Sequence, residues 1–162
     1  MKVYEEQLEF PFFSVLIIVF LAITLFFGYL SYNQWQGIDL SYHQEPLWFN
    51  LTMGLLFLVF TFTIYQFKKL CILLYHDKLE VSYGLFKRIV LRSEIETIYI
   101  DTLNPLLAYG GWGIRFGRYR GKSRIVYNLP GKKNLVAAIK NSNRELVFSV
   151  KDSEQFMLAL KQ

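Results

Sequence analysis

The chain has little with which to build a reaction centre: one cysteine, Cys71, two histidines, His43 and His76, and four prolines in 162 residues. A lone thiol excludes an intrachain disulfide and any metal site made of several thiolates. The other absences are regional. Phe10 to Tyr32 contains no Asp, Glu, Lys, Arg or His, and neither does Leu47 to Phe67. The connecting loop, Asn33 to Pro46, has no Lys or Arg, and Thr102 to Asn143 has no Asp or Glu.

Each absence excludes a class of behaviour. An apolar stretch of roughly 20 residues crosses a hydrocarbon core about 30 Å thick, and both stretches are that long. Without an intramembrane charge they carry no proton relay or ion-binding side chain, so they read as an anchor and not as a pore. The first is not a cleavable leader: Glu5, Glu6 and Glu9 precede it in place of a basic segment, and the apolar run is too long. The basic-free loop, with Lys2 before the first span and Lys68 and Lys69 after the second, places both termini in the cytoplasm. Tyr29, Tyr32, Trp35, Tyr42, Trp48, Phe49, Tyr65 and Phe67 fall where an interfacial aromatic belt would sit. A short loop makes the spans antiparallel neighbours. Ser14, Thr24, Thr52, Thr61 and Thr63 are expected to bond their own helix carbonyls, and Gly28 and Gly54 would allow close helix approach. The division is therefore residues 1–69 as a membrane hairpin, with spans at about 10–32 and 47–67, and residues 70–162 as a cytoplasmic domain.

The charge is equally divided. Residues 1–67 hold Lys2 against five acidic groups, a net −4, and residues 68–162 hold 17 basic against 8 acidic groups, a net +9. A cation beside a bilayer has anionic lipid as its nearest polyanion. Beyond Lys69 the pattern becomes short runs rich in β-branched and aromatic residues, bounded by turn residues. Strands are expected at Leu70–Tyr75, Leu79–Tyr83, Arg88–Leu91, Ile95–Ile100, Trp112–Phe116, Arg124–Leu129, Leu135–Ile139 and Glu145–Val150. Asn104-Pro105 marks a loop, Pro130-Gly131 a turn, and Gly117–Ser123 a connection. The last element is a helix capped by Asp152 or Ser153, with Phe156, Met157, Leu158 and Leu160 as its apolar face.

Ser93-Glu94-Ile95, Asn104-Pro105, the run Tyr109-Gly110-Gly111-Trp112-Gly113-Ile114-Arg115, Pro130-Gly131 and the closing Asp152–Leu160 segment carry a likeness. With them the chain resembles the uncharacterised bacterial proteins that join two transmembrane helices to a C-terminal pleckstrin-homology-like domain. The resemblance implies a membrane α+β protein: a transmembrane hairpin followed by a seven-stranded barrel or sandwich and a C-terminal helix. It brings no established activity.

Gly110-Gly111-Trp112-Gly113 is not a dinucleotide fingerprint, because Phe116 takes the last glycine position and no helix follows. It reads as a bulge or sharp strand start, with Trp112 covering the core or a membrane face. The candidate binding residues are Trp112 and the cations of the acid-free stretch: Arg115, Arg118, Arg120, Lys122, Arg124, Lys132 and Lys133. Arg118, Arg120, Lys122 and Arg124 alternate, so a continuous strand would put them on one face. The lipid motif implied by the resemblance needs several cations at the first hairpin, where this chain has Lys78 between Asp77 and Glu80; lipid contact would use Arg118–Arg124 instead. His43 and His76 fall on opposite sides of the membrane, and no nucleophile elbow occurs. The reading is therefore a non-enzymatic interaction or scaffolding module at the cytoplasmic face of the cell membrane, without cofactor or metal. It would bind anionic lipid, a protein partner or a second copy in the membrane, and no nucleic acid, since no nucleic-acid module matches. The alternative is an accessory subunit of a larger transporter or enzyme complex.

Overall fold

A computed structural model describes residues 2–37 and 45–161. Asp39, Tyr42 and His43, which entered the charge, aromatic-belt and histidine arguments, lie outside the described residues.

The two apolar runs form helices α1 (Pro11–Trp35) and α2 (Leu47–Phe67). At 1.5 Å per residue they measure about 37 Å and about 31 Å, each long and apolar enough to cross a membrane. Pro11 suits the first position of a helix, where its missing N–H is not needed. Phe20 and Phe27 pack on Phe57 at centroid distances of 5.6 and 6.0 Å, while Ile18, Leu25, Leu55 and Phe62 remain exposed. As expected, Thr24, Thr52, Thr61 and Thr63 donate to the carbonyl four residues back. A Cβ built on Gly54 would reach Phe27 Cβ at 3.6 Å, while one on Gly28 would meet open space, so only Gly54 lies at the helix contact.

The rest of the chain is a separate compact unit, Met1–Phe10 with Lys69–Gln162. Its first strand, β1 (Lys2–Glu9), was not expected, because three glutamates disguise it. Polar residues at the edge of a sheet are tolerated, and β1 is an edge. It pairs antiparallel with β2 (Lys69–Tyr75), Glu9 standing opposite Lys69 and Leu8 opposite Leu70. Strands β3 (Lys78–Tyr83) and β4 (Phe86–Leu91) complete a sheet of order β1-β2-β3-β4. The second sheet contains β5 (Ile95–Asp101), β6 (Gly113–Tyr119), β7 (Lys122–Asn128), β8 (Lys133–Ile139) and β9 (Arg144–Val150) in the order β5-β8-β9-β7-β6. The described residues thus hold nine strands where the resemblance implies seven, and β7 and β9 run parallel.

Two local expectations change. Asn104-Pro105 opens a short helix, α3 (Pro105–Tyr109), in place of a plain loop. Asn104 caps it by accepting from the Leu106 N–H, and Gly110 ends it in the left-handed region at φ 70°. In the final helix, α4 (Ser153–Leu160), Asp152 accepts from the Glu154 and Gln155 N–H groups as expected, but the buried side is Ser153, Phe156 and Ala159. That is helical spacing, and it leaves Leu158 exposed.

Period-two alternation divides each strand. Leu70, Ile72 and Leu74 lie opposite Tyr83, Val81 and Leu79, and all six are buried. On the other sheet Tyr127 and Leu135 both lie opposite Phe148. The two buried faces meet where the Tyr83 and Tyr127 rings stack at 6.2 Å. Phe156 of α4 closes the gap, touching Phe148 at 5.3 Å and Tyr4 of β1 at 5.4 Å.

Candidate functional site

The opposite face of the second sheet carries Arg124 and Val126 on β7, Glu145 and Val147 on β9, Val136 on β8, and Tyr99 and Asp101 on β5. α3 covers part of this face, burying Tyr109 against Val126, Val136 and Val147. Gly117 on β6 leaves room for it: a Cβ there would stand 3.1 Å from the Tyr109 ring. Beside α3 the face opens into a cleft of about 450 Å³, lined among others by Tyr99, Asp101, Tyr119, Lys122, Arg124 and Glu145.

Arg124 organises the cleft floor at 2% exposure. Its Nε donates to Glu145 Oε2 at 2.7 Å, and its terminal nitrogens donate to the Tyr109 hydroxyl at 2.5 Å, the Tyr99 hydroxyl at 3.2 Å and Asp101 Oδ1 at 3.5 Å. The Tyr119 ring lies against the guanidinium, 4.5 Å from the ring centroid. Tyr109 in turn donates to Asp101 Oδ2 at 2.7 Å, Tyr99 donates to Glu145 Oε1 at 3.1 Å, and Lys122 Nζ stands 3.2 Å from the same oxygen. A buried guanidinium survives only with partners of this kind. Burial by itself would raise the Glu145 carboxyl, but hydrogen bonds from Arg124 and Lys122 outweigh it and hold the group below its ordinary range. Burial raises the Tyr109 hydroxyl, and its bond to Asp101 raises it further; burial and Glu145 do the same for Tyr99. Both phenols therefore stay protonated as donors, and the network is internally neutralised. Among the described residues no group of three His, Cys, Asp or Glu side chains could hold a metal ion.

The eight candidate residues separate. The expected connection Gly117–Ser123 is mostly strand, because the chain reverses within two residues, Arg120 (φ 49°) and Gly121 (φ 81°). Two successive positive φ values make the tight hairpin turn that matches strand twist. Arg118, Arg120, Lys122 and Arg124 consequently do not share one face of a continuous strand. Arg115 and Arg118 are exposed on β6, an edge strand, Arg120 forms the exposed turn, and half-buried Lys122 pairs with Glu145. Arg124 is taken out of the surface altogether. Trp112, Lys132 and Lys133 lie at the other end of the sheet, next to the Gly113–Asn128 pair and the start of β8. Six residues of strand, about 20 Å, separate that end from the Arg120-Gly121 tip.

Sequence reasoning missed Tyr99, Asp101, Tyr109 and Glu145. A signal for two of them was present: Asp101 and Glu145 are the acids that end the acid-free stretch on either side, and both pair with the arginine inside it. Compared with known proteins, the chain matches no family model, no curated protein and no solved structure.

Proposed function

We propose that the protein is a membrane-anchored interaction module. α1 and α2 cross the cell membrane as an antiparallel pair, and the β unit, of the pleckstrin-homology-like kind, stands on the cytoplasmic side. Two sheets closed by a C-terminal helix support that kinship; the nine strands and the parallel β7–β9 pair depart from it. The topology has support independent of charge. β1 precedes α1 and β2 follows α2, yet they pair residue by residue from Glu9 and Lys69 onward. Two helices crossing a membrane between them must return the chain to the side it left. The lysine distribution then chooses the cytoplasm.

The observation that carries the binding reading is the cationic hairpin tip. At the tip Arg118 and Arg120 form no ion pair among the described residues. The tip lies at the end of the second sheet away from Tyr83 and Asn128, which mark the end where the chain leaves for the helices. An exposed cluster of one charge sign suits an acidic protein partner.

The test is site-specific photo-crosslinking of the full chain in its membrane, with the probe at Ser123 beside the tip or at Leu55 on α2. A discrete adduct from Ser123 that disappears in the Arg118→Glu/Arg120→Glu variant is expected. Adducts from Leu55 alone would replace this reading with that of an accessory subunit packed through its helices. A periplasmic signal from a C-terminal topology reporter would overturn the orientation.

A further inference from the structure

The strand registers fix which parts of the β unit share an end. The chain leaves the unit after Glu9 and re-enters at Lys69, and these two residues are paired. Leu70 lies opposite Tyr83, and Tyr83 opposite Phe86, so the Gly84-Leu85 turn is at that same end of the first sheet. The Tyr83 hydroxyl donates to the Asn128 carbonyl at 2.8 Å, and Asn128 lies opposite Gly113. That bond ties the departure end of the first sheet to the end of the second that carries Trp112, Lys132 and Lys133.

The backbone there presents Trp112 outward. Gly110, Gly111 and Gly113 have φ of 70°, 123° and 96°, in the region that L-residues rarely adopt, and Trp112 sits among them 42% exposed. Asn128 Nδ2 donates to the Gly111 carbonyl at 3.3 Å and fixes the excursion from beneath. Leu85, in the turn at the matching end of the first sheet, is 76% exposed. Lys132 and Lys133, at the start of β8 and so at the same end of the second sheet with β9 and β7 between them and β6, are exposed without an ion pair among the described residues. A tryptophan, an aliphatic tip and lysines sharing one end of the unit make the composition of a surface that rests in a head-group layer: indole and leucine enter it, ammonium groups meet anionic phosphates.

We infer that this rim of the β unit, with Trp112 and Leu85 as its apolar contacts and Lys132 and Lys133 as its cations, is seated in the head-group layer of an anionic bilayer. The inference rests on the reading of α1 and α2 as membrane spans. It assigns the candidate cations to two different surfaces, with Lys132 and Lys133 meeting lipid and the distal arginines left for a protein.

The chain's three tryptophans, Trp35, Trp48 and Trp112, provide the test. Two full-length variants each retain one indole: Trp35→Phe/Trp48→Phe keeps Trp112, and Trp35→Phe/Trp112→Phe keeps Trp48 near the start of α2. Each is reconstituted in phosphatidylcholine–phosphatidylglycerol vesicles, with plain acyl chains or with chains brominated near the head group. Trp112 emission is expected to be blue-shifted and to fall by about half in brominated vesicles, as for an indole lodged 5–10 Å into the interface. Quenching of Trp48 without quenching of Trp112 would overturn the rim assignment while leaving the spans in place. Unquenched Trp48 would overturn the spans and the rim together. Trp112 shielded from iodide yet insensitive to bromine would mean that a protein covers the rim, which also refutes the inference. Equal Trp112 quenching with and without phosphatidylglycerol would refute the anionic surface.

Discussion

Replacing Arg124 by methionine keeps an unbranched apolar stem and removes the charge beneath the cleft. Glu145 then loses its 2.7 Å partner and Asp101 its 3.5 Å partner, both inside the protein. Removing one member of a buried pair costs about 3–5 kcal/mol, because the remaining charge stays buried. The lower end applies here. Glu145 keeps Lys122 and the Tyr99 hydroxyl, and Asp101 keeps the Tyr109 hydroxyl and the Leu103 N–H. For a domain of this size, about 3 kcal/mol lowers Tm by roughly 12–24 °C. The assay needs the β unit in soluble form. Because Glu9 and Lys69 are paired, a two-residue Asn-Gly turn can replace everything between them. Urea unfolding is then followed by the emission of Trp112, which would be the one tryptophan left. Arg118→Met is the control, an exposed arginine expected to change stability by no more than about 0.5 kcal/mol. The double variant Arg124→Met/Glu145→Met, which removes both charges, should recover at least about 1 kcal/mol relative to the sum of the single changes. If Arg124→Met unfolds within about 1 kcal/mol of the parent, the guanidinium is not the buried centre described above.

Three further outcomes concern the same β unit. The soluble β unit should lose stability as pH falls below the ordinary glutamate value of 4.5, because Glu145 is lowered in the folded state and its contribution disappears as the pH passes through the folded value; Glu145→Gln should flatten that part of the acid titration curve. Gly111→Ala and Gly113→Ala should each cost about 1–3 kcal/mol in the urea assay, since each forces an L-residue into positive φ. A fragment starting at Lys69 should aggregate on gel filtration where the turn-linked unit stays monomeric, because loss of β1 leaves β2 as an open edge and uncovers Phe156.

How much was legible in the sequence depended on how loudly the physics speaks locally. The helices follow from long runs without charge, and most strands from alternation between turn residues, as in Leu70–Tyr75 and Glu145–Val150. β1 failed that test because Glu5 and Glu9 face solvent, while Glu6, half-buried on the side of Tyr4 and Leu8, accepts from the Lys151 N–H, a partner 145 residues away. Only pairing with β2, across 59 intervening residues, makes it a strand. The Arg118–Arg124 alternation misled because a two-residue turn leaves almost no compositional trace: Arg120 adopts positive φ beside Gly121, and the face argument breaks there. Arg124 looked like its neighbours because charge alone does not reveal burial. Its position two residues before the buried Val126 was the available sign, together with the acids at the two ends of the basic stretch. The asparagine cap, Pro105 and Gly110 of α3 were all present and were outweighed by the expectation of a loop.

The pairing of β1 with β2 also sets an order of events during synthesis. The first strand leaves the ribosome 59 residues before its partner begins. At 5–20 residues per second, about 3–12 s of elongation pass before β2 can meet it, and both apolar helices are made in that interval. Until then β1 waits as an unpaired strand, the form most prone to pairing with the wrong chain. Its glutamates, which disguise it in the sequence, are what a waiting strand needs: three carboxylates in eight residues discourage association with other copies. When β2 arrives, Lys69 meets Glu9 and the ladder closes.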